Sequence, residues 1–293
     1  MDKTVSLVLG SGGARGLAHI GIINWLEAHG YAIRSIAGSS MGALVGGIYA
    51  AGKLDLYATW VQALERKDVL RLLDLSFRSA GLFKGERVIN VLKELIGDFR
   101  IEALPISYTA VATDLDSGKE VWLSKGPLFD AIRASIAIPT IFTPYSVSGR
   151  TLLDGSLANP VPIAPTLRDI TDVTIAVNLS GAPDRRLVES ENEQPALPQD
   201  SYQRRIREFV DALQSKMPQG ERHDPGPLEI ITRSFETMHG TIARLKLAAH
   251  PPDVVITIPR NTCRFFEFNR ATELIEFGHK QAEAVLGDYI DKG

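Results

Sequence analysis

Cysteine is nearly absent. Cys263 stands alone in 293 residues, so no disulfide can close within the chain and the redox compartment is left open. Strong charge of either sign is missing as well. Lys and Arg number 32 against 35 Asp and Glu, for a net charge of −3, and no field of that size argues for nucleic acid or an acidic partner. No window reaches the roughly 18 apolar residues of a membrane span. No leader-length apolar stretch follows the opening Met-Asp-Lys, which speaks against a secretory signal. The expectation is a cytoplasmic protein, with peripheral contact at a membrane surface left open. Metal spacings are missing too: there is no His-Glu-x-x-His and no Cys cluster, so neither metal nor cofactor is expected. What remains is an ordinary globular composition, 44% hydrophobic and 23% charged, at a length that α/β enzymes reach as one unit.

The pattern along the chain is β-turn-α, twice within fifty residues. Residues 5–9 are an apolar run that stops at Gly10, and Leu17, Ile20, Ile23 and Leu26 then recur at helical spacing up to Gly30. A short strand over 33–37 leads through "GSSMG" into a small-residue helix over 43–51. This alternation predicts a mostly parallel sheet sandwiched by helices, a three-layer α/β fold. Amphipathic spacing predicts helices over 54–75, 85–95, 228–249 and 271–290, and a further helix over 127–135 that ends before Pro139. Strands are expected over 107–114, 120–123, 151–153, 172–178 and 254–258. Residues 181–227 are polar and rich in Pro, Glu, Gln and Arg. They read as a mobile insertion within a single domain spanning 1–293. The stretch 202–217 carries an apolar stripe and the arginines of "YQRRIRE". That pattern suits a surface helix, and it would also suit contact with anionic lipid.

"LGSGGARG" ends the first strand and opens a helix. Such a turn presents free backbone N–H groups and the positive end of a helix dipole, and it can hold a phosphate or a developing oxyanion. The dinucleotide fingerprint needs a carboxylate about 20 positions on. "AIRSIAGSS" has none there, and no Gly-Lys-Ser/Thr follows to make a Walker loop. The second turn, Gly38-Ser39-Ser40-Met41-Gly42, fits G-x-S-x-G with Ser40 on a strand-to-helix elbow that pushes its hydroxyl out of the fold. A serine hydroxyl needs a base near pH 7. His223, His239, His250 and His279 follow it in sequence, yet none lies in a turn after a strand, and each reads as a surface or packing residue. Asp154 does end a strand, in "TLLDGSLANPVP", where α/β sheets carry their sites. A desolvated carboxylate there could take the proton from Ser40 without a histidine. Asp114 and Asp116 in "ATDLDSGKE" read as a turn, since the downstream spacing of a calcium loop is missing.

In order and approximate spacing, "GSGGARG", "GSSMG", "AIRASIAIPTIFTP" and "LLDGSLANPVP" resemble the bacterial patatin-like phospholipase family. The similarity covers about 5–178 and continues in "FNRATELIEFGHKQA". The resemblance implies a lipid acyl hydrolase with a Ser-Asp dyad. Ser40 would be the nucleophile and Asp154 the general base and acid. The amides of Gly12 and Gly13 would form the oxyanion hole with Arg15 beside them. The expected partner is a lipid or acyl-ester substrate, either phospholipid or lysophospholipid. Acyl-CoA and other thioesters remain open, as do a non-catalytic lipid-binding role on the same fold and the oligomeric state. Two positions depart from the family's habit: Ser11 where glycine is frequent, and Ser156 where Asp-Gly-Gly or Asp-Gly-Ala is common. Arg133, Ser135, Asn159 and Pro160 are expected to support the site rather than react.

Overall fold

The computed structural model describes residues 3–72, 81–187 and 227–290. The chain divides into two compact units, Met1–Pro183 with Met238–Gly293, and Asp184–Thr237. Most of the expected insertion, including the amphipathic stretch 202–217, lies outside the described residues.

The first unit is built on an eight-stranded sheet. Strands β1 (Lys3–Leu9), β2 (Tyr31–Ser39), β4 (Ser107–Asp114), β9 (Val173–Gly181) and β10 (Val254–Pro259) run parallel in the order β10-β9-β1-β2-β4. Three antiparallel strands complete it: β5 (Glu120–Leu123), β7 (Tyr145–Val147) and β8 (Arg150–Asp154). Strands β3 (Gly81–Phe83) and β6 (Thr140–Phe142) form a separate parallel pair.

Alternation along the central strands sorts the core onto two faces. Val5, Leu7 and Leu9 of β1 join Ile175 and Val177 of β9 on one side. Val8 and Ala176 face the other, against Val161, Ile163 and Ala243. On the larger side lie α1 (Ala18–Ala28), α2 (Met41–Ala50), α5 (Glu86–Ile96), α6 (Leu128–Ser135) and the closing α8 (Ala271–Ile290). Ala243 belongs to α7 (Pro227–Ala249) and supplies the opposite layer. The three-layer α/β arrangement is therefore the one the sequence predicts. Helices α1 and α8 cross closely because neither has a side chain at the contact. A Cβ on Gly21 would meet the Ile275 carbonyl oxygen at 1.8 Å, and one on Gly278 would meet that of Ala18 at 2.0 Å.

The short strands β3, β6 and β7 were not expected from the sequence, and one helix departs from expectation. The single helix predicted over 54–75 is broken into α3 (Leu54–Gln62) and α4 (Arg66–Leu72). The Asp68 carboxylate reaches back to the amide of Glu65 at 3.1 Å, a side-chain cap where the new helix starts. Residues 73–75 lie outside the described ones. The hairpin turn after β4 is the one expected of Asp114, whose Oδ1 accepts from the amides of Asp116 and Ser117. No helix among the described residues is long and apolar enough to cross a membrane.

Candidate active site

Two strands meet end to end at the site. Val111 of β4 pairs with Ser39 on one edge and with Trp122 of β5 on the other. Ala112, the next residue, pairs with Val121 of β5 and with Asp154. Since β5 pairs with Ala110–Thr113 along one edge, β2 and β8 must share the other. β2 runs parallel to β4 and β8 antiparallel, so their C-terminal ends converge on neighbouring residues of one strand. Ser40 and Asp154, 114 positions apart in sequence, are brought together by this register.

The elbow is strained. Ser40 sits at φ 54, ψ −121, and Ser148 is the other non-glycine residue at positive φ among those described. Such a conformation costs on the order of 1–3 kcal/mol and persists only where its surroundings hold it. Here the holder is Ser135, at the end of α6. Its Oγ accepts from the Ser40 amide at 2.9 Å and donates to the Val111 carbonyl at 2.6 Å. A hydroxyl has one proton, and this one is committed to β4, so the lone pair faces the Ser40 N–H. Ser135 thus ties the elbow to the strand on which the two ends converge. Ser135→Ala is expected to destabilise the fold by about 1–3 kcal/mol, the usual cost of orphaning buried polar groups. It should also slow acylation about tenfold by loosening Ser40. Single-turnover kinetics and a thermal melt check both, and an unchanged acylation rate would remove Ser135 from the positioning of the elbow.

Asp154 is 1% exposed. Its amide donates to Ala137 O at 2.9 Å, and its carbonyl accepts from Thr113 Oγ1 at 2.9 Å. Gly155 can follow only as glycine, because a Cβ there would lie 2.0 Å from the Val111 carbonyl oxygen. Oδ1 accepts from the Ser156 amide at 2.8 Å, while Oδ2 is buried without a partner of regular hydrogen-bond geometry. Burial pushes the carboxyl up to about 6. The hydroxyls of Ser156 and Ser40 and the Ser156 amide oppose that rise. Ser40 is therefore close enough to act on the carboxylate, though no bond of regular geometry links the two at rest.

The glycine loop lies at the end of β1. Gly10 N donates to Val177 O at 3.0 Å, Ser11 N to Pro160 O at 2.9 Å and Ala14 N to Phe265 O at 2.9 Å. Gly10 O is held in turn by Nε2 of His19 at 2.8 Å. The amides of Gly12 and Gly13 make no such bond among the described residues, so two adjacent donors are left for a ligand. Arg15 fixes their direction from behind. Its Nε donates to Gly12 O at 3.2 Å, and its Nη1 donates to the Arg260 carbonyl. Gly12 O and Gly13 N belong to one trans peptide, so pinning the carbonyl on one side aims the N–H to the other. Arg15 is 5% exposed and acts on the loop's backbone.

The supporting residues behave as the sequence suggests. Arg133 donates to Lys84 O and Thr143 O, a structural role. Asn159 donates to Glu120 at 2.6 Å, and its amide returns to Gly155 O at 2.8 Å, closing the Asp154 loop. The Pro160 carbonyl joins that loop to the glycine loop. His239, which reads in the sequence as a surface or packing residue, brings its Nε2 to 3.3 Å from Ser156 Oγ. It comes from α7, 85 residues after Asp154, and no local motif marks it. The one available signal was Ser156 itself, a hydroxyl at a position where glycine or alanine is common.

A family model described as "Patatin-like phospholipase" matches residues 7–167. An uncharacterized NTE family protein of Mycobacterium tuberculosis is 40% identical, the match covering 96% of this chain and 91% of that protein. A protein named Lysophospholipase NTE1, from Kluyveromyces lactis, is 32% identical over 62% of this chain, which spans 13% of that much longer protein. The crystal structure of VipD from Legionella pneumophila aligns at 14% identity and a TM-score of 0.49, covering 98% of this chain and 67% of that one.

Proposed function

Since the chain belongs to the patatin-like phospholipase family, we propose that it hydrolyses lipid acyl esters through a serine acyl-enzyme, with an aspartate as its only base. The observation that carries this reading is the meeting of β2 and β8 on one edge of β4. It sets the Ser40 elbow beside a buried carboxylate with an unengaged oxygen.

In this mechanism Asp154 takes the Ser40 proton as Oγ attacks the ester carbonyl carbon. The carbonyl oxygen becomes an oxyanion in front of the Gly12 and Gly13 amides, each such donor being worth about 3 kcal/mol in transition-state stabilisation. The tetrahedral intermediate collapses, Asp154 returns the proton to the leaving alcohol, and the acyl group stays on Ser40. Water then attacks the acyl-enzyme, giving its proton to Asp154. The fatty acid leaves, and the proton goes back to Ser40. A base near pKa 6 suits this work. It is mostly ionised at pH 7, yet more basic than an exposed carboxylate. Lysophospholipid is the substrate class we favour, on the likeness to a lysophospholipase.

A fluorophosphonate probe tests the nucleophile. Wild type should be labelled and Ser40→Ala should not; absence of labelling where a control serine hydrolase reacts would overturn the reading. A panel of lysophospholipids, phospholipids, acyl-CoAs and short nitrophenyl esters tests the substrate, lysophospholipid being expected to give the highest kcat/KM. The Asp154 pKa also sets a pH dependence. Only the ionised carboxylate can accept the serine proton, so log kcat/KM should be level above pH 7 and fall with unit slope below about 6. An acid limb near 4 would mean that the base is an ordinary exposed carboxylate.

A further inference from the structure

The dyad leaves one polar arrangement unused. Ser156 follows Asp154 by two residues and is 4% exposed. Its amide donates to Asp154 Oδ1 at 2.8 Å, and its hydroxyl oxygen lies 3.3 Å from His239 Nε2. The same hydroxyl is close enough to Asp154 to oppose the rise of the carboxyl's pKa, though no bond of regular geometry joins hydroxyl and carboxylate at rest. It therefore sits between an imidazole and the carboxylate, with one proton to place.

If His239 Nε2 accepted that proton, nothing would remain for Asp154. If Nε2 carries a proton of its own, it donates to Ser156 Oγ and turns the Ser156 proton toward Asp154. The second arrangement satisfies both neighbours, and the charges around the site favour a histidine that stays neutral. Burial first, and the Arg15 guanidinium second, push His239 down to about 4. The charged groups packed on the Asp154 loop are engaged elsewhere: Glu120 of β5 accepts from Asn159 at 2.6 Å and lies 3.7 Å from Lys246 of α7. On α6, Asp130 accepts from the Tyr145 hydroxyl and Arg133 is bound to Lys84 O and Thr143 O. On β4, Asp114 holds its own turn. The other group acting on the carboxylate is the Ser40 hydroxyl.

We propose that His239 and Ser156 are positioning residues, a donor chain from imidazole to hydroxyl to carboxylate that aims Asp154 and holds its basicity within the working range. The proposal rests on Asp154 being the base. It adds to the dyad a histidine that acts through the Ser156 hydroxyl.

The test reads the acid limb of kcat/KM in the full-length chain, with fluorophosphonate labelling of Ser40 as the control for the dyad itself. Ser156→Ala removes a hydrogen bond to the ionised form, so the limb should move up by about 1 unit. His239→Leu should move it the same way. His239→Gln, whose side-chain amide places a donor near the Nε2 position, should return it to the wild-type value. The double variant Ser156→Ala/His239→Leu should match Ser156→Ala alone, because the histidine acts only through the hydroxyl. A merely structural histidine would lower activity equally at all pH values and leave the limb in place. An unmoved limb in both single variants, or additive shifts in the double one, would overturn the chain. Loss of Ser40 labelling in the wild type, or full activity in Asp154→Asn, would instead strike at the dyad.

Discussion

Asp154→Asn is expected to lose about 10²–10⁴-fold in hydrolysis and yet to melt at a higher temperature than the wild type at pH 8. The replacement is nearly isosteric and keeps an oxygen for the Ser156 amide at the Oδ1 position. It cannot take the Ser40 proton, and general-base catalysis is typically worth 10²–10⁴-fold. The gain in stability follows from the same burial that makes the carboxylate basic. The group's ordinary value of 3.8 is raised to about 6 in the folded chain, so the folded state binds this proton more tightly than the unfolded state. That contribution to stability is fully present below pH 3.8 and is lost as pH rises through 6. Above pH 6 the ionised carboxylate costs roughly 3 kcal/mol relative to an exposed one. A neutral amide avoids that cost. The difference in Tm between variant and wild type should therefore be largest at pH 8 and shrink toward pH 4. Melting curves at four pH values, with turnover measured in parallel, check both halves. A Tm difference independent of pH would mean that Asp154 titrates as an exposed carboxylate does. Retained turnover would remove it as the base.

Gly13→Val should cost 10²–10³-fold in kcat, the usual price of one oxyanion donor. Gly13 lies at φ 58, where a β-branched residue is a genuine outlier. A Cβ there would also stand 2.6 Å from Phe265 Cδ2 and 2.7 Å from the Phe265 carbonyl oxygen. That carbonyl holds the Ala14 amide, so the valine would push apart the contact that shapes the loop and turn the Gly13 N–H away from the oxyanion. The effect belongs in kcat rather than KM, because the oxyanion exists only after attack. The strand and helix on either side are deep in the core, so circular dichroism and a melt must accompany the kinetics. Gly13→Ala, with less bulk at the same φ, should lie between the two. Wild-type turnover in a folded Gly13→Val protein would exclude this amide from the mechanism.

Much of the site was legible in the sequence because it is local. An apolar strand, a glycine turn and a helix are consecutive residues, and the period of each is written in its side chains. That places Gly12, Gly13 and Ser40 at strand ends without any tertiary knowledge, and it marks Asp154 as the carboxylate at the end of a later strand. The break between α3 and α4 was missed even though it is local. The amphipathic stripe runs through it, and a side-chain cap from Asp68 to Glu65 competes with helix continuation by a bond that periodicity does not report.

What only the tertiary structure decided is which of these strand ends meet. Alternation and apolar runs say that a segment is a strand, but carry no information about its partner or direction. The antiparallel β8 abuts the parallel β2 because both fit one edge of β4, whose other edge β5 occupies, and the elbow and the carboxylate converge there. The same holds for Ser135, His239 and Phe265, which reach the site from α6, α7 and the segment before α8. Each acts through hydrogen bonds closed across many residues of chain, and a serine, a histidine or a backbone carbonyl looks the same in sequence whether or not those bonds exist. The sequence by itself determined the proposed reacting groups and the turns that carry them. The long-range pairing determined that they face one another, and burial in the paired sheet determined the basicity of the carboxylate.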